Sequence, residues 1–199
     1  MVEKMKSFLI TGASRGIGKA IAERYGGVTV ARSGAVTERG DLRDPDFRTY
    51  LIRKYKPDVF VNNAGIDGYT NSPSDVLETN STAALELLFG FYERMDSGHI
   101  INIGSLATHM SGFKQSVGRM SYVLSKRNLE EASDILNQLR DKPIKICYLS
   151  PGMVDTGIEQ GNKQRVPMRI DDVCNTVDWI LNQPDHVKIN KVEIDNAVY

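Results

Sequence analysis

Few features of this sequence point away from an ordinary globular fold. Cys147 and Cys174 are the only cysteines in 199 residues. Neither has a Cys-x-x-Cys partner or a nearby histidine pair, which excludes a disulfide framework and a thiolate metal site. They read as buried free thiols of a reducing compartment, and no metal is expected. No apolar run approaches the roughly 20 residues that span a bilayer, so no membrane role is expected. Residues 1–6 are short and charged and lead straight into a strand, unlike a signal peptide, so a cytoplasmic protein is the expectation. The 25 basic and 25 acidic residues balance to a formal charge of zero, and nothing in bulk charge favours nucleic acid. No repeat, linker or low-complexity tract divides the chain. Its length suits one sizeable core and is short for two, so residues 1–199 are expected to form a single domain.

What is present is alternation. Strand patterns at 8–10, 28–31, 58–62, 100–103, 144–149 and 187–194 are rich in β-branched residues. They alternate with helical patterns at 19–25, 74–94, 121–139 and 171–181. A further helix begins with Asp44 as N-cap and Pro45 at its first position, turns Phe47, Tyr50, Leu51 and Tyr55 inward, and stops before Pro57. The long helix carries Val76, Leu77, Ala84, Leu87, Leu88 and Phe91 inward. Residues 106–120 read as a polar connection and 153–168 as a loop without periodicity. Such alternation predicts an α/β fold, a doubly wound parallel sheet of Rossmann type. One interval is too short for it. Only eight residues separate Arg32 from Asp41, where a right-handed crossover needs about a dozen or more. The sheet is therefore expected to lack, or to shorten, one edge strand and its helix after the second strand.

Two stretches carry chemistry. Thr11-Gly12-Ala13-Ser14-Arg15-Gly16-Ile17-Gly18 follows the first strand and opens a helix. A glycine-rich turn in that place offers backbone N–H groups and a positive helix end to a pyrophosphate. Tyr122 and Lys126 stand four apart on one helix face, and Ser105 follows a strand end, where open α/β sheets place ligands. A tyrosine with a pKa of about 10 is a poor base at neutral pH. A nearby ammonium is expected to lower it toward the useful range, while Ser105 hydrogen-bonds the substrate oxygen.

These stretches occur in order with Asn62-Asn63-Ala64-Gly65, Asn80 and Pro151-Gly152, and Tyr122 and Lys126 lie in Tyr-Val-Leu-Ser-Lys. Together they resemble the short-chain dehydrogenase/reductase family of the classical type, from about Phe8 to Thr156. The resemblance implies an NAD(P)-dependent oxidoreductase that acts on the CH–OH group of donors, interconverting a carbonyl and an alcohol on a small substrate. It implies Tyr122 as acid/base, Lys126 as the residue that lowers its pKa and binds the nicotinamide ribose, and Ser105 as the residue that orients the substrate. Asn80 matches the helix asparagine that holds a relay water. Gly12, Ser14, Arg15, Gly16, Ile17 and Gly18 would hold the pyrophosphate. Asn63, Ala64 and Gly65 would lie along the cofactor, Asp41 and Leu42 would contact adenine, and Pro151, Gly152, Val154 and Thr156 would contact the nicotinamide.

Where NAD enzymes of this kind place an acidic residue after the second strand, this chain has Arg32-Ser33, with Arg15 in the glycine turn. Guanidinium groups suit a 2′-phosphate, so NADP(H) is expected over NAD(H). Relative to the family pattern, extra residues fall at 108–113. His109, Phe113, Met153, Ile158 and Gln164 are candidates for the substrate pocket. The resemblance further implies a homodimer or homotetramer that packs the 74–94 and 121–139 helices across a two-fold axis. The helix start at Asp171-Asp172-Val173 and the ending at 190–194 resemble members acting on β-keto or 3-hydroxy acids. The competing expectation is an NADP(H)-binding sensor or regulatory protein that keeps the fold without the chemistry.

Overall fold

Seven parallel strands form one sheet in the order β3-β2-β1-β4-β5-β6-β7. The computed structural model describes residues 6–108, 117–139, 141–156 and 166–197. The strands are β1 (Phe8–Thr11), β2 (Val28–Ala31), β3 (Glu38–Arg39), β4 (Val59–Asn62), β5 (Gly98–Ile103), β6 (Ile144–Pro151) and β7 (Lys191–Ile194). Helices α1 (Gly16–Tyr25) and α6 (Ile170–Leu181) cover one face. Helices α2 (Pro45–Lys54), α3 (Pro73–Leu77), α4 (Ala84–Arg94) and α5 (Val117–Leu139) cover the other. The core accordingly has two halves. Leu9, Phe60, Ile100 and Ile146 pack toward α4 and α5, whereas Ile10, Val61, Ile101 and Leu149 pack toward α1 and α6. Both halves are apolar because a parallel sheet buries both its faces.

The short interval after β2 resolves as a stub. Strand β3 has two residues, and only residues 32–37 join it to β2, with no helix between them. Gly34, at φ +92°, turns this connection in a region open chiefly to glycine. Arg39 Nη2 donates to Gly34 O (2.8 Å), and Gly40 N donates to Ala31 O (3.1 Å). On the α1 side of β2, where the missing helix would lie, the chain places threonines. Thr29 N donates to Thr37 Oγ1 (3.2 Å) and Thr37 N returns a bond to Thr29 Oγ1 (2.9 Å). A polar pair that satisfies its own backbone needs no covering layer.

Several helices differ from the sequence pattern for identifiable reasons. Helix α1 begins at Gly16 rather than residue 19. In α2, Tyr50 is exposed and Arg48 is buried instead. Arg48 is held inside because its Nε meets Glu86 (2.7 Å) and its Nη1 donates to Leu42 O (2.6 Å). The long helix is interrupted by a π turn at Glu78–Ala83, and the extra residue per turn rotates Leu77 out to solvent. Helix α5 starts at Val117 rather than at 121, and Leu106–Thr108 forms a 3₁₀ turn. Strand β6 runs on to Pro151, and β7 is confined to Lys191–Ile194. Within 153–168, Val154 and Met168 pair in a parallel bridge. Both cysteines are buried and free. Among the described residues, no helix is long and apolar enough to cross a membrane.

Candidate active site

The carboxyl ends of β1, β4, β5 and β6 converge on one edge of the sheet, and most of the described residues singled out in the sequence gather there. Thr11, the last residue of β1, fastens the glycine turn to the end of β4. Its Oγ1 accepts from the amides of Asn63 and Ala64 (both 3.0 Å), and Asn63 Nδ2 donates to Thr11 O (2.8 Å). The turn is packed against itself. Gly12 lies at φ +67°, and a Cβ there would meet Ala64 Cα at 2.8 Å. A Cβ on Gly18 would meet Gly12 O at 2.5 Å.

The N-terminal end of α1 differs from those of α2, α3 and α6. Asp44 caps α2, Ser72 caps α3 and Asp172 answers the N-cap amide of α6, whereas Arg15 caps α1 with no side-chain hydrogen bond. No acidic residue occupies the first turn of α1. Its N-terminal amides are therefore left to whatever anion the turn receives. A pyrophosphate fits that cradle.

Gly34 brings the β2–β3 connection onto this turn, where a Cβ on it would meet Ser14 Cβ at 3.2 Å. Arg15, Arg32 and Ser33 are exposed around that corner. On the far side of the turn, a Cβ on Gly16 would stand 3.5 Å from Thr156. Gly152 N donates to Ile194 O (2.8 Å), which fixes the Pro151-Gly152 corner against β7. Val154 is buried and Met153 half-buried. Asp41 is occupied by Arg43, whose Nη2 lies 2.7 Å from Asp41 Oδ2 and whose Nη1 reaches Asp75 (2.5 Å). The Leu42 side chain is buried in the core. His109, Phe113, Ile158 and Gln164 lie outside the described residues.

Ser105, Tyr122, Lys126 and Asn80 come together. The Ser105 hydroxyl stands beside the Tyr122 phenol and favours its phenolate. Lys126 is buried and donates from Nζ to Ile103 O (2.8 Å). Gly65 lies between Lys126 and Asn80, and a Cβ on it would be 3.5 Å from Lys126 Nζ and 3.3 Å from Asn80 Oδ1. Asn80 lies in the π turn, a distortion that recurs at functional sites. It clamps Ile66 in both directions, accepting from Ile66 N and donating to Ile66 O, each at 2.8 Å. Its side-chain amide is thereby committed to backbone.

Three residues around Tyr122 had no signal in the sequence. Arg119, one turn earlier on α5, donates to the Tyr69 hydroxyl, and its charge favours the Tyr122 phenolate. Gly68 and Gly118 meet backbone to backbone and hold that loop on α5, where a Cβ on Gly68 would stand 3.1 Å from Tyr122 Cβ.

The expected lowering of the Tyr122 pKa is reversed. Burial raises it, and Ser105 and Arg119 offset that only in part. A neighbouring charge alone would lower the pKa, but desolvation disfavours every charged form and here outweighs it. The same desolvation pulls Lys126 down to about 8 from its usual 10.5.

The sign of the consequence follows from proton counting. Between pH 8 and 10.5 the unfolded lysine keeps its proton and the folded one has released it, so stability rises with pH in that window. A shift of this size corresponds to about 3 kcal/mol. Lys126→Met should therefore be more stable than the wild type at pH 7 without added nucleotide, and the gap should narrow by pH 9.5. Denaturant unfolding of both proteins across that range is the check, and a constant gap contradicts the assignment.

The family model described as short chain dehydrogenase matches residues 32–166, more than half of the sequence. The chain belongs to the short-chain dehydrogenase family. An uncharacterized oxidoreductase of Staphylococcus epidermidis is 28% identical over 228 aligned positions, covering 96% of this chain and 97% of the relative. That alignment is longer than the 199-residue chain, so the relative carries segments absent here. A serine 3-dehydrogenase of Agrobacterium fabrum is 26% identical, covering 94% of this chain and 92% of its own. Among solved structures, BdcA in complex with NADPH has a TM-score of 0.80 at 23% identity, covering 96% and 93%. That likeness concerns the fold. Family membership makes the protein an NAD(P)-dependent oxidoreductase of the short-chain dehydrogenase class.

Proposed function

We propose that this short-chain dehydrogenase uses NADPH to reduce a carbonyl group on a small substrate, with Tyr122 as the proton donor. The observation that carries the reading is the convergence of Ser105, Tyr122 and buried Lys126 at the carboxyl end of the sheet, beside the uncapped end of α1. Bound NADPH supplies the hydride. The chain supplies the rest. Ser105 donates a hydrogen bond to the substrate oxygen and holds it beside Tyr122. Tyr122 gives its proton to that oxygen as carbon accepts the hydride, so one C–H and one O–H bond form and the carbonyl π bond breaks. Because burial raises the Tyr122 pKa, the phenol holds its proton at neutral pH, which suits the reducing direction. The ammonium of Lys126 faces the Gly65 segment, where it can donate to the ribose.

The 2′-phosphate of NADPH is assigned to the corner formed by Arg15, Arg32, Ser33 and Ser14. Planar guanidinium donors favour a phosphate, and no acidic side chain follows β2 to prefer a free ribose. Steady-state kinetics with both cofactors test this. A kcat/KM at least about tenfold higher with NADPH is expected, one well-formed charge-assisted contact being worth about 1.5–3 kcal/mol. Equal or better use of NADH contradicts it.

The serine 3-dehydrogenase relative puts β-hydroxy acids and their keto forms first in a substrate panel. Met120, Leu124, Ile135 and Leu139 are exposed along α5 and Phe89 along α4. These apolar groups support a homodimer or homotetramer through those helices, and a monomer in light scattering removes that part of the proposal.

A further inference from the structure

Tyr148 is the largest fully buried side chain of the described residues, and it sits in the middle of β6, directly beneath the site. A buried phenol needs partners for its hydroxyl. Its Oη donates to the backbone carbonyl of Lys126 (3.0 Å), and the backbone amide of Ser105 faces the same oxygen. The ring lies against Gly104, where a Cβ would stand 2.5 Å from the Tyr148 hydroxyl. Gly104 N in turn donates to Leu149 O (2.7 Å), which pins the segment just past β5 to β6. A large residue on one strand and the absence of a side chain on the next thus form a matched pair. One oxygen spans the segment that carries Ser105 and the α5 turn that carries Tyr122 and Lys126.

We propose that Tyr148 is a positioning residue: its hydroxyl sets the stance of Ser105 against Tyr122 by tying the Ser105 backbone to the backbone of Lys126. The inference rests on the roles proposed for Ser105 and Tyr122 in carbonyl reduction. Tyr148 touches neither substrate nor cofactor and acts through Ser105 alone. Without the hydroxyl the Ser105 amide loses a partner in a buried place, and the segment after β5 relaxes away from α5. Misplacement of a reacting group by about 1 Å costs up to about a hundredfold in rate.

Tyr148→Phe removes the oxygen and keeps the ring. With NADPH and the best substrate of a panel, kcat should fall about ten- to a hundredfold, with the affinity for NADPH unchanged. The double variant with Ser105→Ala separates positioning from mere stability. If Tyr148 acts through Ser105, Tyr148→Phe has almost no further effect on kcat once Ser105 is alanine. The same factor in both backgrounds, or no effect in either, overturns the proposal.

Amide hydrogen exchange gives a readout that does not need turnover. The Ser105 amide should exchange at least tenfold faster in Tyr148→Phe, while Ile101 within β5 stays protected. Equal acceleration of both reports general loosening and overturns the proposal. Should Tyr148→Phe fail to fold, Gly104→Ala displaces the same ring and must give the same non-additivity with Ser105→Ala. Retained activity in Ser105→Ala defeats the underlying reading instead, so the two failures are distinguishable.

Discussion

Tyr122→Phe is expected to lower turnover about a thousandfold, within the range of about 10² to 10⁴ that a positioned acid contributes, and to leave NADPH affinity almost unchanged. The substitution removes one oxygen from a half-buried ring on α5 and leaves the glycine turn untouched. What is lost is the proton that the substrate oxygen needs as carbon takes the hydride. The pH profile carries the same signature. In the reducing direction the rate should be flat through neutral pH and fall only in the alkaline range. The raised pKa keeps the phenol protonated until then. Substantial activity in Tyr122→Phe, or a rate that falls between pH 6 and 7, assigns the proton transfer to another group.

Gly18→Ala should be nearly as damaging, through geometry rather than chemistry. A Cβ on Gly18 would stand 2.5 Å from Gly12 O, and the backbone of a turn fastened by Thr11 and Asn63 has nowhere to move. Overpacking of this kind costs about 1–3 kcal/mol, and more where backbone is the obstacle. The strain falls on the turn whose amides are proposed to hold the pyrophosphate, so NADPH affinity should drop at least about tenfold along with the melting temperature. Lys19→Ala, one residue on and exposed, serves as the control and should change neither. Unaltered NADPH binding in Gly18→Ala contradicts the assignment of this turn.

Much of the sheet was legible because each strand is a short apolar run closed by turn residues, and because eight residues cannot hold a crossover helix. What escaped has physical reasons. The π turn at Glu78–Ala83 shares its side-chain spacing with an α-helix over one turn and leaves no trace in an apolar pattern. Arg48 reads as a surface residue until Glu86, distant in the chain, and Leu42 O from the preceding loop surround it. Gly118 reads as a loop residue, yet it lies inside α5 because Gly68 must pack against it.

In the candidate site, Ser105, Tyr122 and Lys126 were singled out by their spacing in company with the glycine turn, Asn62-Asn63-Ala64-Gly65 and Pro151-Gly152. Their electrostatics were not legible, since burial depends on the whole fold. The same holds for Tyr148 and Arg119. Their importance lies in contacts across the structure, and nothing local in the sequence distinguishes them from an ordinary strand tyrosine and a helix arginine.

A nucleotide-binding sensor without chemistry would keep the glycine turn and the arginine corner intact. The measurement that separates it from a reductase is NADPH consumption by the wild-type protein against a panel of keto acids, aldehydes, ketones and sugars, with NADPH binding followed by fluorescence in the same samples. A reductase built on Ser105, Tyr122 and Lys126 binds NADPH tightly and turns over at least one carbonyl substrate. Binding without turnover on any of them contradicts that assignment.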